Sequence, residues 1–132
     1  DSGVLNLADE SGIAIHYWHV MDTGKDSVDL LRRLLDRFGT SLKYVLVRNQ
    51  VRGNDFGVLE QSGEQARALG LGAKIVSVKK LHDSAIQKID INSSSFWHAT
   101  HTDSPIALGL MDRQRVKMWL RDVYRDLDDV GV

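Results

Sequence analysis

The 132-residue sequence contains no cysteine, so disulfides and thiolate metal sites are excluded, and a reducing compartment such as the cytoplasm is expected. No apolar run approaches the roughly 20 residues that a membrane helix needs. The start also lacks the basic segment and apolar core of a secretory signal. No Gly-x-x-x-x-Gly-Lys-Ser/Thr phosphate-binding loop occurs. We therefore expect a soluble cytoplasmic protein, without a membrane span, whose phosphate-binding elements are not within these residues.

The sequence also has no marked excess of positive or negative charge. The 17 Lys and Arg residues stand against 18 Asp and Glu, a formal charge of −1, so no overall positive field directs the chain to nucleic acid or anionic lipid. The length suits one domain that buries about two-thirds of its unfolded surface, and we predict a single domain over residues 1–132. Because the sequence begins with Asp1 rather than Met, we expect further sequence upstream.

Strand and helix patterns alternate along the chain. Apolar runs rich in β-branched and aromatic residues predict strands at 13–20, 44–48 and 74–78. Apolar periodicity predicts a helix that is capped by Thr23 and ends at Gly39, then helices at about 60–69 and 82–88 and a polar bend at 90–95. A last helix follows Pro105 and carries the apolar stripe Val116, Trp119, Leu120, Val123, Leu127 and Val130.

Helical segments between the strands imply parallel pairing through right-handed crossovers. Strands that are apolar almost throughout imply a sheet covered on both faces. We therefore predict an α/β fold of three layers, with a mainly parallel sheet between helices.

Asn49 stands at the end of the second predicted strand, ahead of the turn at Gly53-Asn54-Asp55. Open α/β sheets hold ligands at the carboxyl ends of their strands, and an amide both donates to and accepts from a nucleobase edge. Asn also commonly leads a turn in which it bonds its own backbone, and the residues alone leave these two interpretations even. The position of Asn49 favours a site for a base without a site for phosphates.

Other candidate sites are weaker. Gly24-Lys25 lies between a strand and a helix, but Asp26 stands where a phosphate loop has a hydroxyl, which favours a helix cap. The run Ser93-Ser94-Ser95 lacks the strained elbow of a hydrolase nucleophile. No segment supplies the three or more spaced ligands of a catalytic zinc site, so we predict neither a metal site nor a catalytic residue. The histidines considered are His16, His19, His82, His98 and His101.

The last helix is rich in charge of both signs. Its basic residues are interleaved with acids, a mixture typical of a solvated helix face with ion pairs at helical spacing. Direct contact with nucleic acid stays the less favoured alternative, given the net charge. The bases are Arg113, Arg115, Lys117, Arg121 and Arg125, and the acids are Asp112, Asp122, Asp126 and Asp128.

The chain from residue 44 onwards resembles the carboxyl-terminal half of MinD/ParA-type (SIMIBI class) P-loop ATPases. The resemblance lies in the order of its elements: the run Tyr44-Val45-Leu46-Val47-Arg48-Asn49, a helix, the strand at 74–78, a polar loop and a long last helix. More narrowly, residues 13–56, Lys80-Leu81 and Ile89-Asp90 are similar to ParA-like ATPases of conjugative and mobilisable plasmids, of the StbB, TraL and MobD kind. The resemblance implies a partial P-loop NTPase fold, Rossmann-like, with its phosphate-loop half upstream.

The resemblance also implies roles for particular residues. Asn49 is expected to contact adenine, while Val78, Lys79 and Lys80 lie along the base, Lys79 replacing a proline common in that loop. The full-length protein is expected to use ATP and Mg²⁺ in plasmid mobilisation, conjugal transfer or partitioning. This chain alone requires no cofactor and should be inactive as an ATPase.

Partners are likewise implied by the family: an adenine nucleotide, plasmid transfer or partition proteins, and a second copy in a homodimer. In the family, the strand at 13–20 pairs with the phosphate-loop strand. Without that neighbour it leaves an apolar edge prone to association.

Two other interpretations stay open. The chain is alternatively a non-enzymatic α/β interaction module of a plasmid transfer complex, docking through an exposed strand edge or through its last helix. A flavodoxin-like or response-regulator-like domain requires phosphate contacts or an acidic cluster at successive strand ends, and the sequence shows neither clearly.

Overall fold

A computed structural model describes residues 2–51, 53–101 and 108–131 and confirms the α/β prediction. The chain divides into two compact units, one up to Val78 and one over Lys79–Gly131. The single-domain prediction stays a prediction. The predicted helix start after Pro105 lies outside the described residues. The helices and strands are α1 (Ser2–Glu10), β1 (His16–Met21), α2 (Lys25–Phe38), β2 (Lys43–Asn49), α3 (Gly57–Gln61), α4 (Glu64–Gly70), β3 (Lys74–Val78), α5 (Asp83–Ile91), α6 (Phe96–Ala99) and α7 (Leu110–Asp129).

The first unit holds a three-stranded sheet in the order β1-β2-β3, and both strand pairs are parallel as predicted. The register aligns Val20 with Val47 and Val47 with Val76. Parallel neighbours need a crossover connection, which α2 supplies for the first pair and α3 with α4 for the second. The carboxyl ends of all three strands therefore lie at one edge of the sheet.

The first strand begins three residues later than the sequence pattern suggested. Ile13 is apolar, but its N–H donates to the carbonyl of Ala8 at 2.8 Å, and the Gly12 N–H donates to Asp9. Gly12 has φ +71°, the left-handed conformation that glycine adopts readily and that commonly ends a helix. Ile13 therefore closes α1, and β1 starts at His16.

The amino end of α2 is held by residues other than the predicted cap. The side chain of Thr23 makes no capping bond, and Gly24 occupies the N-cap position. Asp22 Oδ1 accepts from the Gly24 N–H at 2.8 Å and from Ser27 Oγ at 2.9 Å, while Ser27 Oγ accepts from the Asp22 N–H at 3.2 Å. The predicted Thr23 cap was wrong, and the predicted end at Gly39 is confirmed.

The helix expected at 60–69 is interrupted. Ser62 Oγ donates to the Leu59 carbonyl at 2.7 Å and accepts from the Glu64 N–H at 3.2 Å, replacing backbone bonds of a continuous helix. Gly63 then takes a left-handed conformation with φ +80°. These two residues separate α3 from α4.

The core of the first unit lies between α2, α3, α4 and one face of the sheet. Leu31, Leu35 and Leu46 are at most 1% exposed, and each contributes about 1.5–3 kcal/mol relative to an exposed side chain. Leu30, by contrast, is 49% exposed and is not part of this apolar face. The buried cluster comprises Met21, Val28, Leu31, Leu35, Leu42, Tyr44, Leu46, Phe56, Leu59, Ala68 and Ala73.

The second unit is helical, with α7 packed against α5 and α6. Helix α5 runs to Ile91, beyond the predicted end at 88, and the last helix has its predicted apolar stripe turned inwards. The Trp119 Nε1–H donates to the Lys79 carbonyl at 2.7 Å, and the Phe96 ring lies 4.8 Å from the Trp119 ring. The buried cluster comprises Leu81, Ala85, Ile89, Ala99, Leu108 and Val116. Within the described ranges, no helix has the length and apolar character needed to cross a bilayer.

Candidate functional site

Asn49 is the last residue of β2, the central strand of the sheet. Its Oδ1 accepts from the Val51 N–H at 3.2 Å, and its Nδ2 donates to none of the residues that the structure describes. Val78 is its register partner, and the Gln50 N–H donates to the Val78 carbonyl at 2.9 Å. Asn49 thus leads a turn, while its amino group stays available to a ligand.

A cavity of about 410 Å³ opens beside Asn49. It lies at the carboxyl ends of β1 and β2, the edge at which open α/β sheets bind ligands. Its volume is at the lower end of the range for small-molecule sites. A carboxylate, a hydroxyl and an amide supply its polar groups, and aliphatic side chains supply the rest. The described lining residues are Val20, Met21, Asp22, Ser27, Asn49 and Val51.

The part of the lining formed by Asp22 and Ser27 is held by the two hydrogen bonds between them. His19 is 4% exposed, and its Nε2 lies 3.2 Å from the Ser27 carbonyl, so an Nε2–H donates there and ties β1 to the first turn of α2. Neither Asp22 nor Ser27 was a candidate from the sequence. Asp22-Thr23-Gly24 directly after a strand is, however, the pattern of an Asx turn, which was the available signal.

The other predicted base-binding residues lie at the end of β3 and directly after it. Val78 is half-buried and aligned with Asn49. Lys79 and Lys80 are exposed residues of the second unit. The Lys79 carbonyl accepts a hydrogen bond from Trp119 Nε1–H, and Lys80 Nζ lies 3.0 Å from Asp83 Oδ1. The register therefore brings Asn49 and Val78 together.

The histidines do not converge on a metal site. Within the described ranges, no group of three or more His, Cys, Asp or Glu side chains is placed to hold a metal ion. His101 Nδ1 lies 2.9 Å from the Trp97 carbonyl, and the two rings are 3.9 Å apart. His82 accepts from the Ser84 N–H and caps α5.

A buried polar cluster lies in the second unit around Asp112, which is 6% exposed. Ser84 Oγ donates to Oδ1 at 2.7 Å, Lys88 Nζ to Oδ2 at 2.9 Å and Arg115 Nη1 to Oδ1 at 3.0 Å. These bonds lower the pKa of Asp112 to about 2. The bond from Ser84 has the largest effect on the pKa, and the bond from Lys88 has the next largest. The cluster joins α5 to α7.

The Asp112 cluster differs from a catalytic triad. His82 Nδ1 is 2.9 Å from Ser84 Oγ, so the hydroxyl lies between the imidazole and the carboxylate. In a triad the imidazole lies between the other two groups and takes the proton of the nucleophile. Here the Ser84 hydroxyl donates to Asp112, so the cluster stabilises the packing of α5 against α7.

Searches against protein-family models, curated proteins and solved structures found no match. The function is therefore inferred from the cavity beside Asn49.

Proposed function

We propose that this chain is the base-binding, carboxyl-terminal part of a MinD/ParA-like ATPase that assists plasmid mobilisation, conjugal transfer or partitioning. The observation that carries the proposal is the position of Asn49: it ends the central parallel strand and lines a cavity at the carboxyl edge of the sheet. The three parallel strands are compatible with a Rossmann-like P-loop fold.

The side-chain amide of Asn49 suits the edge of an adenine ring. Its Nδ2 can donate to a ring nitrogen, and Oδ1, which has two lone pairs, can accept the exocyclic amine as well as the Val51 N–H. The bond from Val51 fixes the orientation of the amide before a ligand arrives. Such paired readout discriminates bases by about 1–3 kcal/mol. In the proposed site, Val78, the register partner of Asn49, extends along the base.

The phosphate chemistry belongs to the rest of the proposed ATPase. There a phosphate loop and Mg²⁺ would stabilise the transferring phosphoryl group, and the nucleotide state would control homodimerisation or docking of plasmid transfer and partition proteins in the cytoplasm. This chain contains no phosphate-binding loop, and we expect it to bind the base without hydrolysing ATP.

The test is a titration of the chain with adenosine, in which binding is measured from the NMR shifts of backbone amides. Asn49→Asp retains the oxygen that accepts from Val51 but replaces the donating Nδ2, so the turn persists while base readout is lost. We expect adenosine to bind roughly five- to 150-fold more weakly, the equivalent of about 1–3 kcal/mol. Asn6→Asp, on the exposed surface of α1, is the matched control and should leave affinity unchanged.

Two results contradict the proposal. If the native chain shows no adenosine binding, it has no base-binding function. If adenosine binds equally to the native chain and to the Asn49→Asp variant, Asn49 is only a turn residue and the base lies elsewhere.

A second candidate function is a non-enzymatic interaction module, which the outer edge of β1 favours. Among the described strands β1 pairs only with β2, and Tyr17, Trp18 and Val20 are 37%, 38% and 60% exposed. Such an edge can receive a strand from another protein. A chain that binds no adenosine but pairs with an added extended peptide at β1, and loses that pairing in Val20→Lys, would favour this function.

A further inference from the structure

One face of α7 exposes several apolar side chains to solvent. Leu110, Met111, Met118 and Tyr124 are 76%, 68%, 46% and 59% exposed. At 100° per residue, the exposed residues of the helix fall within an arc of roughly 140°. The buried and half-buried residues occupy the rest of the circumference, including the apolar stripe that packs in the second unit. We call the exposed arc over residues 110–125 the outer face of α7.

The same face carries basic side chains. Lys117, Arg121 and Arg125 are exposed and alternate along the helix with the apolar residues. The Arg121 side chain is 71% exposed, and its nearest carboxylate oxygen, on Asp122, is 4.0 Å away. Lys117 makes no ion pair with the residues that the structure describes. The outer face therefore presents positive charge that its own helix leaves largely uncompensated at Lys117 and Arg121.

Three acids of α7 lie outside the outer face, whereas Asp128 and Asp129 are exposed and fall on the same arc in the last turn, beyond Arg125. Asp112 is held inside by Ser84, Lys88 and Arg115, and the side chains of Asp122 and Asp126 are about one-third exposed, at 32% and 31%. From Leu110 to Arg125, the exposed residues include no carboxylate. Over residues 110–125 the exposed arc therefore carries only basic charge, and acidic charge enters it in the last turn at Asp128 and Asp129.

We propose that the outer face of α7 docks an acidic amphipathic helix of a protein partner. Half of this face is aliphatic, methionine or tyrosine, which suits a protein partner better than a nucleic-acid backbone. Methionine adapts to different partner side chains, which suits a docking surface. Carboxylates beside the apolar stripe of the partner would pair with Lys117 and Arg121. At 1.5 Å per residue, α7 is about 30 Å long, enough for several turns of a partner helix.

This partner site shares no residue with the cavity beside Asn49, since the outer face comprises residues 110–125 of α7. The probe is a fluorescent synthetic helix of three heptads with Leu at positions a and d and Glu at e and g. The control probe has Lys in place of every Glu. We expect the acidic probe to bind the native chain at least tenfold more tightly than the basic probe, about 1.4 kcal/mol or more.

The matched variants reverse two charges on each unit. Lys117→Glu with Arg121→Glu should weaken binding of the acidic probe at least about tenfold. Arg33→Glu with Lys43→Glu makes the same change in net charge on exposed positions of the first unit and should leave the dissociation constant nearly unchanged. Met118→Ser tests the apolar component and should also weaken binding. Because the substituted residues are exposed, far-UV circular dichroism should be unaltered.

Several outcomes would overturn the inference. The acidic probe could fail to bind, or the two probes could bind equally tightly. The two charge-reversed variants could also lose the same amount of affinity for the acidic probe. A short DNA duplex that binds more tightly than the acidic probe and competes with it would assign the face to nucleic acid instead. Adenosine binding, measured in parallel, reports on the Asn49 site separately, so failure of one proposal is distinguishable from failure of the other.

Discussion

Each of the two units of this protein is stabilised internally by a different kind of interaction. In the first, apolar side chains from the sheet and α2 to α4 form one buried cluster, and the charged pairs lie at its surface, as in the exposed contact between Arg67 and Asp36. In the second, a smaller apolar cluster is accompanied by a carboxylate, Asp112, that is bonded to three donors. Apolar burial is insensitive to pH, whereas a buried carboxylate stabilises a fold only while it is ionised.

The largest expected effect falls on the first unit. Leu46→Ala removes a fully buried side chain from the central strand, and we expect the free energy of unfolding to fall by about 3 kcal/mol through lost apolar burial and an unfilled cavity. Urea denaturation gives the total, and hydrogen exchange of β1 to β3 amides assigns it to this unit. Leu30→Ala, at a 49% exposed position, is the control and should cost less than about 0.5 kcal/mol. Equal costs would show that Leu46 is not in a packed core.

A smaller effect, dependent on pH, is expected in the second unit. Asp112→Asn places an amide donor near Lys88 and removes the charge that Arg115 and Ser84 bond, so unfolding should become easier by about 2 kcal/mol at neutral pH. Asp128→Asn, at an exposed position of the same helix, should have little effect.

The pH dependence of that effect has a definite sign. The folded-state pKa of Asp112 is lowered to about 2 from its ordinary value of 3.8. Its stabilisation is therefore complete above about pH 4 and is lost as the pH falls towards 2. The native chain and Asp112→Asn should converge in stability at the acid end, as measured by denaturation at several pH values. A constant difference down to pH 2 would show that ionisation of Asp112 is not the cause.

The smallest effect tests the attachment of Lys79. Trp119→Phe retains an aromatic ring beside Phe96 but removes the Nε1–H that donates to the Lys79 carbonyl. We expect a loss of about 1 kcal/mol, the usual net value of one hydrogen bond, with faster amide exchange around residue 79. Phe96→Leu, which keeps that hydrogen bond and removes the ring contact, is the complementary variant. Unchanged exchange in Trp119→Phe would contradict an anchoring role for the bond.

The sequence predicted the sheet well because its strand signals are local. The bounds of β3 agree with the prediction, and β2 differs from it by one residue at each end. The errors occur where a bond to a neighbouring turn overrides the pattern: Ile13 is apolar but closes α1, and Asp22 with Ser27, rather than Thr23, holds the start of α2.

The candidate site was predicted in part for the same reason. A single residue at a strand end, Asn49, follows from the position of that strand, whereas a cavity needs several segments at once. Ser27 becomes a neighbour of Asn49 only when α2 folds back beside the parallel strands.

The sequence by itself determined the order of strands and helices, the position of Asn49 at a strand end and the apolar stripe of α7, because residue periodicity acts over a few neighbours. The tertiary structure alone decided that Asp22 and Ser27 share a cavity with Asn49, and that Asp112 is inside while Lys117 and Arg121 face solvent. Whether a side chain is buried depends on which distant segments pack against it, and the spacing of charges along one helix does not contain that information.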